Sequence, residues 1–132
     1  MQGNVNVYSL KKEGNVKVSD HFKVKEFACN DGSDVVFISL ELVDKLEKTR
    51  VHFGKAVHIN SGYRTPTYNK KVGGATQSQH CYGMACDIHI RFVKPKDIAS
   101  YLETIMGNKG GIGIYKNFVH VDVREKKSRW NG

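Results

Sequence analysis

The chain has 132 residues, a length that suits one domain built around a single hydrophobic core. Its hydrophobic fraction of 39%, with 13 glycines and 2 prolines, excludes the disordered, collagenous and low-complexity classes. Lysine and arginine number 21 against 13 acidic residues, so the formal charge is +8 and an anionic partner is expected. Nucleic acid, an acidic membrane surface and a bacterial cell wall all fit that charge, which does not choose among them.

Neither a membrane span nor a secretory signal is predicted. The apolar runs are far shorter than the roughly 20 residues that a spanning helix needs. The N-terminal stretch MQGNVNVYSLKKEGN lacks the charged start and apolar run of a signal peptide, so we expect synthesis in the cytoplasm without a Sec signal. The odd cysteine count, Cys29, Cys81 and Cys86, predicts reduced thiols that serve packing and no disulfide framework.

Residues 1–18 are predicted to form an N-terminal arm with one or two short edge strands, because valines alternate with polar residues in NVNV and VKV. The domain proper is expected to span residues 19–132. It begins with a cap and one helical turn in SDHFKVKEF, closed by the loop sequence NDG.

The middle of the chain predicts a helix, a strand and a long loop. Apolar residues at helical spacing follow Ser39, a suitable N-cap, and stop at Gly54. The stretch KAVHINSGYRTP predicts a buried strand that ends in a loop carrying Arg64. KKVGGATQSQHCYG is too rich in glycine and polar residues for a regular element, so it is predicted to be a loop.

The last third predicts a strand, a helix and a hairpin. ACDIHIRF alternates as a strand does, and a second helix runs from Pro95, near its first turn, to Gly107. GGIGIYKNFVHVDVRE then predicts two strands joined by a tight turn at Lys116 and Asn117. This order predicts a single α+β domain with a mainly antiparallel sheet and flanking helices.

Potential metal ligands occur at two places in this pattern. His80 and Asp87 stand in SQHCYGMACD, and His120 lies in the final strand. Catalytic zinc takes three protein ligands and leaves a fourth position for water, and two histidines with one carboxylate supply such a set. Paired strands can point Asp87 and His120 at one face, with His80 reaching in from the loop. Strand alternation also puts Asp122 on the face of His120.

The pattern S-x-H-x-x-G-x-A-x-D followed by FVHVDV, together with INSGYRTPTYN and the closing RW, resembles the zinc D-Ala-D-Ala carboxypeptidase family, which is structurally similar to hedgehog domains. The resemblance covers most of the chain, from about Ser19 to Trp130. It implies a hedgehog/DD-peptidase-like fold and Zn²⁺ as cofactor, with His80, Asp87 and His120 as the zinc ligands.

The resemblance also implies that Arg64 binds a substrate carboxylate and that Ser78 donates a hydrogen bond to the substrate. Several relatives carry Glu or Asp as general base three residues before the last ligand, whereas that position here is Asn117, which cannot take a proton. Asp122 is therefore the base, another residue outside the motif is, or the protein is catalytically impaired. We take Asp122 as the first choice; its alternative role is to orient the neighbouring ligand.

The expected function is hydrolysis of an amide bond in peptidoglycan stem peptides, at D-Ala-D-Ala or, as in related phage lysins, at L-Ala-D-Glu. The alternative is a catalytically impaired, zinc-containing wall-binding module. We expect a monomer that acts on the cell wall, fits a phage or prophage lysin and does not bind nucleic acid. Lys126, Lys127 and Arg129 are expected to form a solvated tail that contacts anionic wall polymers.

Overall fold

The computed structural model describes residues 4–132, so the first three residues of the predicted arm lie outside the described part. The elements in chain order are β1 (Val5–Ser9), α1 (Leu10–Glu13), β2 (Lys17–Ser19), β3 (Phe22–Lys23), a 3₁₀ turn (Val24–Phe27), β4 (Val35–Ser39), α2 (Leu40–Phe53), β5 (His58–Ser61), α3 (Pro66–Lys71), a second 3₁₀ turn (Gln79–Tyr82), β6 (Ala85–His89), α4 (Pro95–Met106), β7 (Gly111–Ile114), β8 (Val119–Asp122) and β9 (Ser128–Asn131).

The main sheet has five strands in the order β5-β6-β8-β7-β9. Every neighbouring pair is antiparallel except β7 and β9, which are parallel. The two strands β6 and β8 pair with Asp87 directly opposite His120. The predicted α+β class with a mainly antiparallel sheet is confirmed, and the predicted hairpin is formed by β7 and β8.

The core lies between the sheet and the two long helices, because α4 packs on β7 and β8 and α2 packs on α4. The Ser39 hydroxyl accepts a hydrogen bond from the Leu42 amide at the start of α2, and Gly54 ends that helix at a φ of 63°. Both predicted long helices are therefore confirmed. Among the helices described in residues 4–132, none has the length and apolar character that crossing a membrane takes.

The segment predicted as an arm is tied to the rest of the domain. Strand β1 pairs antiparallel with β4, and β2 pairs with β3. Just beyond the predicted arm, the Glu47 carboxylate on α2 accepts hydrogen bonds from the Ser19 hydroxyl at 2.6 Å and the His21 amide at 3.0 Å, and Ser19 is the last residue of β2. Partly buried side chains of the segment pack against the core: Val5, Tyr8, Leu10 and Val18. The division at residues 18 and 19 stays a prediction.

The loop predicted in KKVGGATQSQHCYG is wrong at both ends. Its first two lysines close α3, and Gln79–Tyr82 forms a 3₁₀ turn. The Thr65 hydroxyl accepts a hydrogen bond from the Tyr68 amide, and proline follows at the first helical position. The Thr-Pro pair therefore starts a helix, and the preceding strand β5 already ends at Ser61. Residues 72–78 between the two elements are irregular, as predicted.

The solvated tail is a wrong prediction at Arg129. This residue lies in β9, its Nε is 2.8 Å from Oε2 of Glu103, and its Nη1 donates to the Gly110 carbonyl. The edge of β7 has backbone N–H and C=O groups available for pairing, and the four-residue strand β9 pairs with them. This tertiary contact could not be predicted from so short a segment of sequence. Lys126 and Lys127 are exposed, as expected.

Candidate metal centre

The structure brings the three predicted ligands together. His80, Asp87 and His120 each offer one ligand atom, and these atoms all lie within 4.8 Å of one another. His80 is delivered by the 3₁₀ turn whose N-cap is Ser78 and whose end is Gly83, at a φ of 72°. The other two ligands meet because the register of β6 and β8 sets them opposite each other.

Hydrogen bonds fix both histidine rings. His80 Nδ1 lies 2.8 Å from the Gly62 carbonyl oxygen, which only accepts, so Nδ1 carries the proton and Nε2 is left for a ligand role. His120 Nε2 lies 2.7 Å from Asp122 Oδ2, which leaves Nδ1 facing Asp87. Asp87 Oδ1 is 3.3 Å from His80 Nε2 and 3.1 Å from His120 Nδ1. Metal-ligating histidines commonly donate their second N–H to such acceptors.

The donor set fits a metal ion. The three residues are buried, with 3%, 8% and 9% of their surface exposed for His80, Asp87 and His120. They line a cavity of about 490 Å³ that opens to solvent. Two imidazole nitrogens and one carboxylate oxygen are the ligands of catalytic zinc sites, where a fourth position stays open.

The charges around the ligands also suit a cation. Burial raises the pKa of Asp87, but hydrogen bonds with His120 and His80 outweigh that effect and hold this pKa well below its usual range. Burial lowers the pKa of His120, yet the carboxylates of Asp122 and Asp87 outweigh burial and raise it. Two ionised carboxylates therefore face the imidazoles in a largely buried site.

Asp122 lies where strand alternation predicted, beside His120, and has no exposed surface. The Arg124 guanidinium holds both of its oxygens, with Nε 2.8 Å from Oδ1 and Nη2 2.6 Å from Oδ2. The Gly111 amide donates to Oδ1 at 2.9 Å, and a Cβ at Gly111 would collide with this carboxylate. Burial raises the pKa of Asp122, but the bonds from His120 and Arg124 hold it well below its usual range.

Arg64 lines the cavity and contacts a predicted metal ligand. Its Nη2 lies 3.3 Å from Oδ2 of Asp87, its Nη1 lies 3.2 Å from Oδ1 of Asn69, and its Nε donates to Ser61 Oγ at 3.0 Å. Among the residues that the structure describes, three of the five N–H groups of its guanidinium are engaged and two are not. The sequence placed this arginine in the site but did not indicate its bond to Asp87.

Asn69 is a site residue that the sequence interpretation missed. It is 3% exposed, accepts from Arg64, and donates from Nδ2 to the Ala75 carbonyl at 2.7 Å. A Cβ at Gly74 would collide with the Asn69 amide. Asn69 therefore ties residues 72–78 to Arg64. Its place at the end of TPTYN, inside the resemblance, was the available signal.

Ser78 also lines the cavity, as its predicted role requires. Its Oγ accepts a hydrogen bond from the His80 amide at 3.2 Å, and the hydroxyl keeps its own hydrogen for another acceptor. Asn117 is exposed in the turn between β7 and β8 and is absent from the cavity lining. Within residues 4–132, Asp87 is the only carboxylate residue among those that line this cavity.

An aromatic wall formed by Tyr115, Phe118 and Trp130 completes the cavity. The Trp130 ring centroid lies 5.1 Å from that of His120, and its Nε1 donates to the Tyr115 hydroxyl at 2.9 Å. The sequence interpretation missed this wall as part of the site. Two aromatic residues flanking the turn before a ligand strand were the available signal.

Comparisons with known proteins identify the class. A fold with a His-Asp-His site in an antiparallel sheet suits a metal-dependent hydrolase, and the family model of Peptidase M15 matches residues 20–122. The chain belongs to the peptidase M15 family. The match confirms the predicted resemblance to zinc DD-peptidases, and the predicted cofactor Zn²⁺ agrees with this family and with the three-donor site.

Similar curated proteins include a carboxypeptidase and an endopeptidase. The zinc D-Ala-D-Ala carboxypeptidase of Streptomyces albus G is 44% identical over 45 residues, which cover 33% of this chain and 18% of that protein. The peptidoglycan L,D-endopeptidase MepK of Escherichia coli is 33% identical over 91 residues, covering 62% of this chain and 49% of that protein. MepK of Shigella flexneri gives the same values. The chain spans at most about half the length of these relatives.

Proposed function

We propose that this chain is a zinc peptidase that hydrolyses an amide bond in peptidoglycan stem peptides. The observation that carries the proposal is the buried group of His80, Asp87 and His120, which lines an open cavity in a chain of the peptidase M15 family. The names of the relatives supply the substrate class. Bound zinc would polarise the scissile carbonyl and acidify a water molecule.

In this proposal His80 would hold zinc through Nε2, His120 through Nδ1 and Asp87 through its carboxylate. The assignment of nitrogens follows from the bonds of His80 Nδ1 to Gly62 and of His120 Nε2 to Asp122, which leave one free nitrogen on each ring. Arg64 supports Asp87 by its bond to Oδ2.

Asp122 is proposed to orient His120, which is the alternative to the base role that the sequence favoured. A general base must reach the proton that it removes. The carboxylate of Asp122 has no exposed surface, and Arg124, Gly111 and His120 occupy its oxygens. A carboxylate that accepts the second N–H of a ligating histidine fixes the ring and raises its basicity.

Substrate binding is proposed to involve Arg64 and Ser78. Within residues 4–132, two N–H groups of Arg64 have no partner and are available to an anionic group of a substrate. A stem peptide carries carboxylates, which pair with a guanidinium fork. Ser78 keeps a hydroxyl hydrogen beside His80. Both residues line the same cavity as the proposed ligands. Action at the cell wall follows from this substrate, whereas phage origin, contacts with anionic wall polymers and a monomeric state stay predictions.

A second candidate is a zinc-containing wall-binding module with impaired turnover. The observation that favours it is the composition of the cavity lining. Within the described residues 4–132, Asp87 is the only carboxylate residue that lines this cavity, and Asn117 is exposed in the turn. Once Asp87 ligates the metal, no carboxylate in the cavity lining of the described residues is left to accept a proton from water. This candidate predicts binding to the wall without cleavage.

Mass spectrometry of purified muropeptides incubated with the zinc-loaded chain tests the two candidates. The substrates are a stem ending in D-Ala-D-Ala and a shorter stem that lacks this bond. Loss of one alanine from the first alone identifies a carboxypeptidase, and cleavage of both at L-Ala-D-Glu identifies an endopeptidase. Unchanged masses with stoichiometric zinc would contradict the peptidase, and co-sedimentation with intact wall would then favour the binding module.

A further inference from the structure

The side chain of Tyr115 carries a hydroxyl whose hydrogen is unused among the residues that the structure describes. Tyr115 lines the same cavity as His80, Asp87 and His120. Trp130 Nε1 lies 2.9 Å from Tyr115 Oη, and because an indole N–H can only donate, Oη is the acceptor in that bond. Among the residues that the structure describes, Oη makes no other hydrogen bond. Its own hydrogen is therefore free to bond to an acceptor in the cavity.

The Tyr115 ring is held in place on several sides. Phe118 stacks on it with ring centroids 4.5 Å apart and planes 6° apart. The Tyr115 amide donates to the Phe118 carbonyl at 3.0 Å, which closes the tight turn between β7 and β8. The backbone of Gly132 packs against the ring edge so closely that a Cβ there would collide with it. The hydroxyl is thus preorganised before any substrate arrives.

Trp130 connects this hydroxyl to the proposed metal centre. It lies on β9, whose parallel pairing with β7 sets it opposite Gly113, and a Cβ at Gly113 would collide with the indole. The indole packs beside His120, with ring centroids 5.1 Å apart, and the Arg124 guanidinium lies 5.6 Å from its ring. The indole therefore packs beside a proposed ligand and also donates to the Tyr115 hydroxyl.

We propose that Tyr115 Oη donates a hydrogen bond to the scissile carbonyl oxygen of the substrate, and that Trp130 is the positioning residue that aims it. The inference rests on the proposed function. When a water oxygen bonds to the carbonyl carbon, the π electron pair moves to the carbonyl oxygen and leaves it negatively charged. Tyr115 stabilises that charge and keeps its own proton. The C=O bond then reforms, the C–N bond breaks, and the amine leaves with a proton that comes from the water.

The magnitude of this effect is set by preorganisation. A fixed donor aimed at an oxygen that gains charge in the transition state contributes more to that state than to the bound substrate. Removing one such donor costs about 10²–10³ in kcat. The Tyr115→Phe substitution removes the hydroxyl alone and leaves the ring for Phe118 and Gly132 to pack against.

The test compares Tyr115→Phe with the wild-type chain on the muropeptide that the wild type cleaves. We expect unchanged zinc content and melting temperature, kcat lower by about 10²–10³, and little change in KM. Trp130→Phe, which keeps a ring but loses the N–H, should lower kcat by a smaller factor. Tyr101→Phe is the matched control, because it removes the same hydroxyl on α4, outside the cavity lining, and should leave kcat unchanged.

Binding of a phosphinate isostere of the scissile amide gives a second readout. Its tetrahedral oxygens mimic the charged state, so Tyr115→Phe should weaken its binding markedly while binding of the cleaved product stays the same. A wild-type kcat for Tyr115→Phe, or equal weakening of isostere and product, would overturn the role of Tyr115. A zinc-loaded wild type that cleaves no muropeptide would overturn the proposed function instead, so the two failures are distinguishable.

Discussion

His120 Nε2 donates to Oδ2 of Asp122 at 2.7 Å, and Asp122 has no exposed surface. This bond places the proton of the imidazole on Nε2 and turns Nδ1 toward Asp87, 3.1 Å away. The strand period of two sets both side chains on one face, so β8 provides a ligand and its support within three residues.

Asp122→Asn tests whether this carboxylate supports the ligand or removes a proton. We expect zinc affinity to fall by about 10–100-fold, because the amide supports the imidazole less well than a carboxylate does. Chelator competition measures that affinity, and single-turnover kinetics measures the rate. Asn117→Ala, in the exposed turn, is the control that should change neither. If zinc affinity is unchanged and the rate falls by a factor of about 10²–10⁴, Asp122 acts as the general base.

Arg64→Lys tests the guanidinium. A lysine is a point charge and cannot bond to Ser61, Asn69 and Asp87 together as the arginine does. We expect a folded protein whose kcat/KM reports a loss of about 1.5–3 kcal/mol, the usual worth of a hydrogen bond to a charged group. Arg91→Lys, at an exposed position outside the cavity lining, should behave as the wild type does. If Arg64→Ala cleaves at the wild-type rate, Arg64 has no part in substrate use.

Glu47→Gln tests how firmly the end of β2 and the turn after it are held on α2. Burial raises the pKa of Glu47, but hydrogen bonds from Ser19 and His21 outweigh it, so the net shift is downward. A lowered folded-state pKa stabilises the fold above the unfolded pKa, about 4.3, and this contribution is lost as the pH falls through the folded value. Glu47→Gln should therefore be less stable near neutral pH, by about 1–3 kcal/mol, with a smaller difference in acid.

Urea unfolding of the Glu47 variant at neutral and acidic pH measures this difference. Glu125→Gln removes an exposed carboxylate and serves as the control. An equal stability gap at both pH values would show that the ionised form of Glu47 contributes nothing.

The three residues of the proposed metal site could be predicted from the sequence because the signals of the individual residues are local. Asp87 and His120 interrupt strands whose alternate positions are apolar, and polar residues at such places need a structural or chemical reason. The helix from Ser39 to Gly54 was equally readable, since its cap, its apolar spacing and its terminal glycine agree.

The rest depends on contacts between segments distant in the chain. Strand β4 forms because β1 pairs with it from about 30 residues away, and VVFIS runs without a break into the apolar pattern of α2. Trp130 belongs to the site only because β9 pairs with the edge of β7. The bond between Arg64 and Asp87 joins residues 23 positions apart, and nothing in the spacing of either motif predicts it.

Titration of zinc into metal-free protein, with muropeptide hydrolysis followed at each step, tests the central claim most directly. The account predicts that the rate rises with added zinc and stops rising at one zinc per chain. His120→Ala should show neither tight binding nor hydrolysis, and His58→Ala, which removes an exposed histidine outside the ligand group, should behave as the wild type does. Hydrolysis that does not depend on zinc, or stoichiometric zinc retained by His120→Ala, would contradict the account.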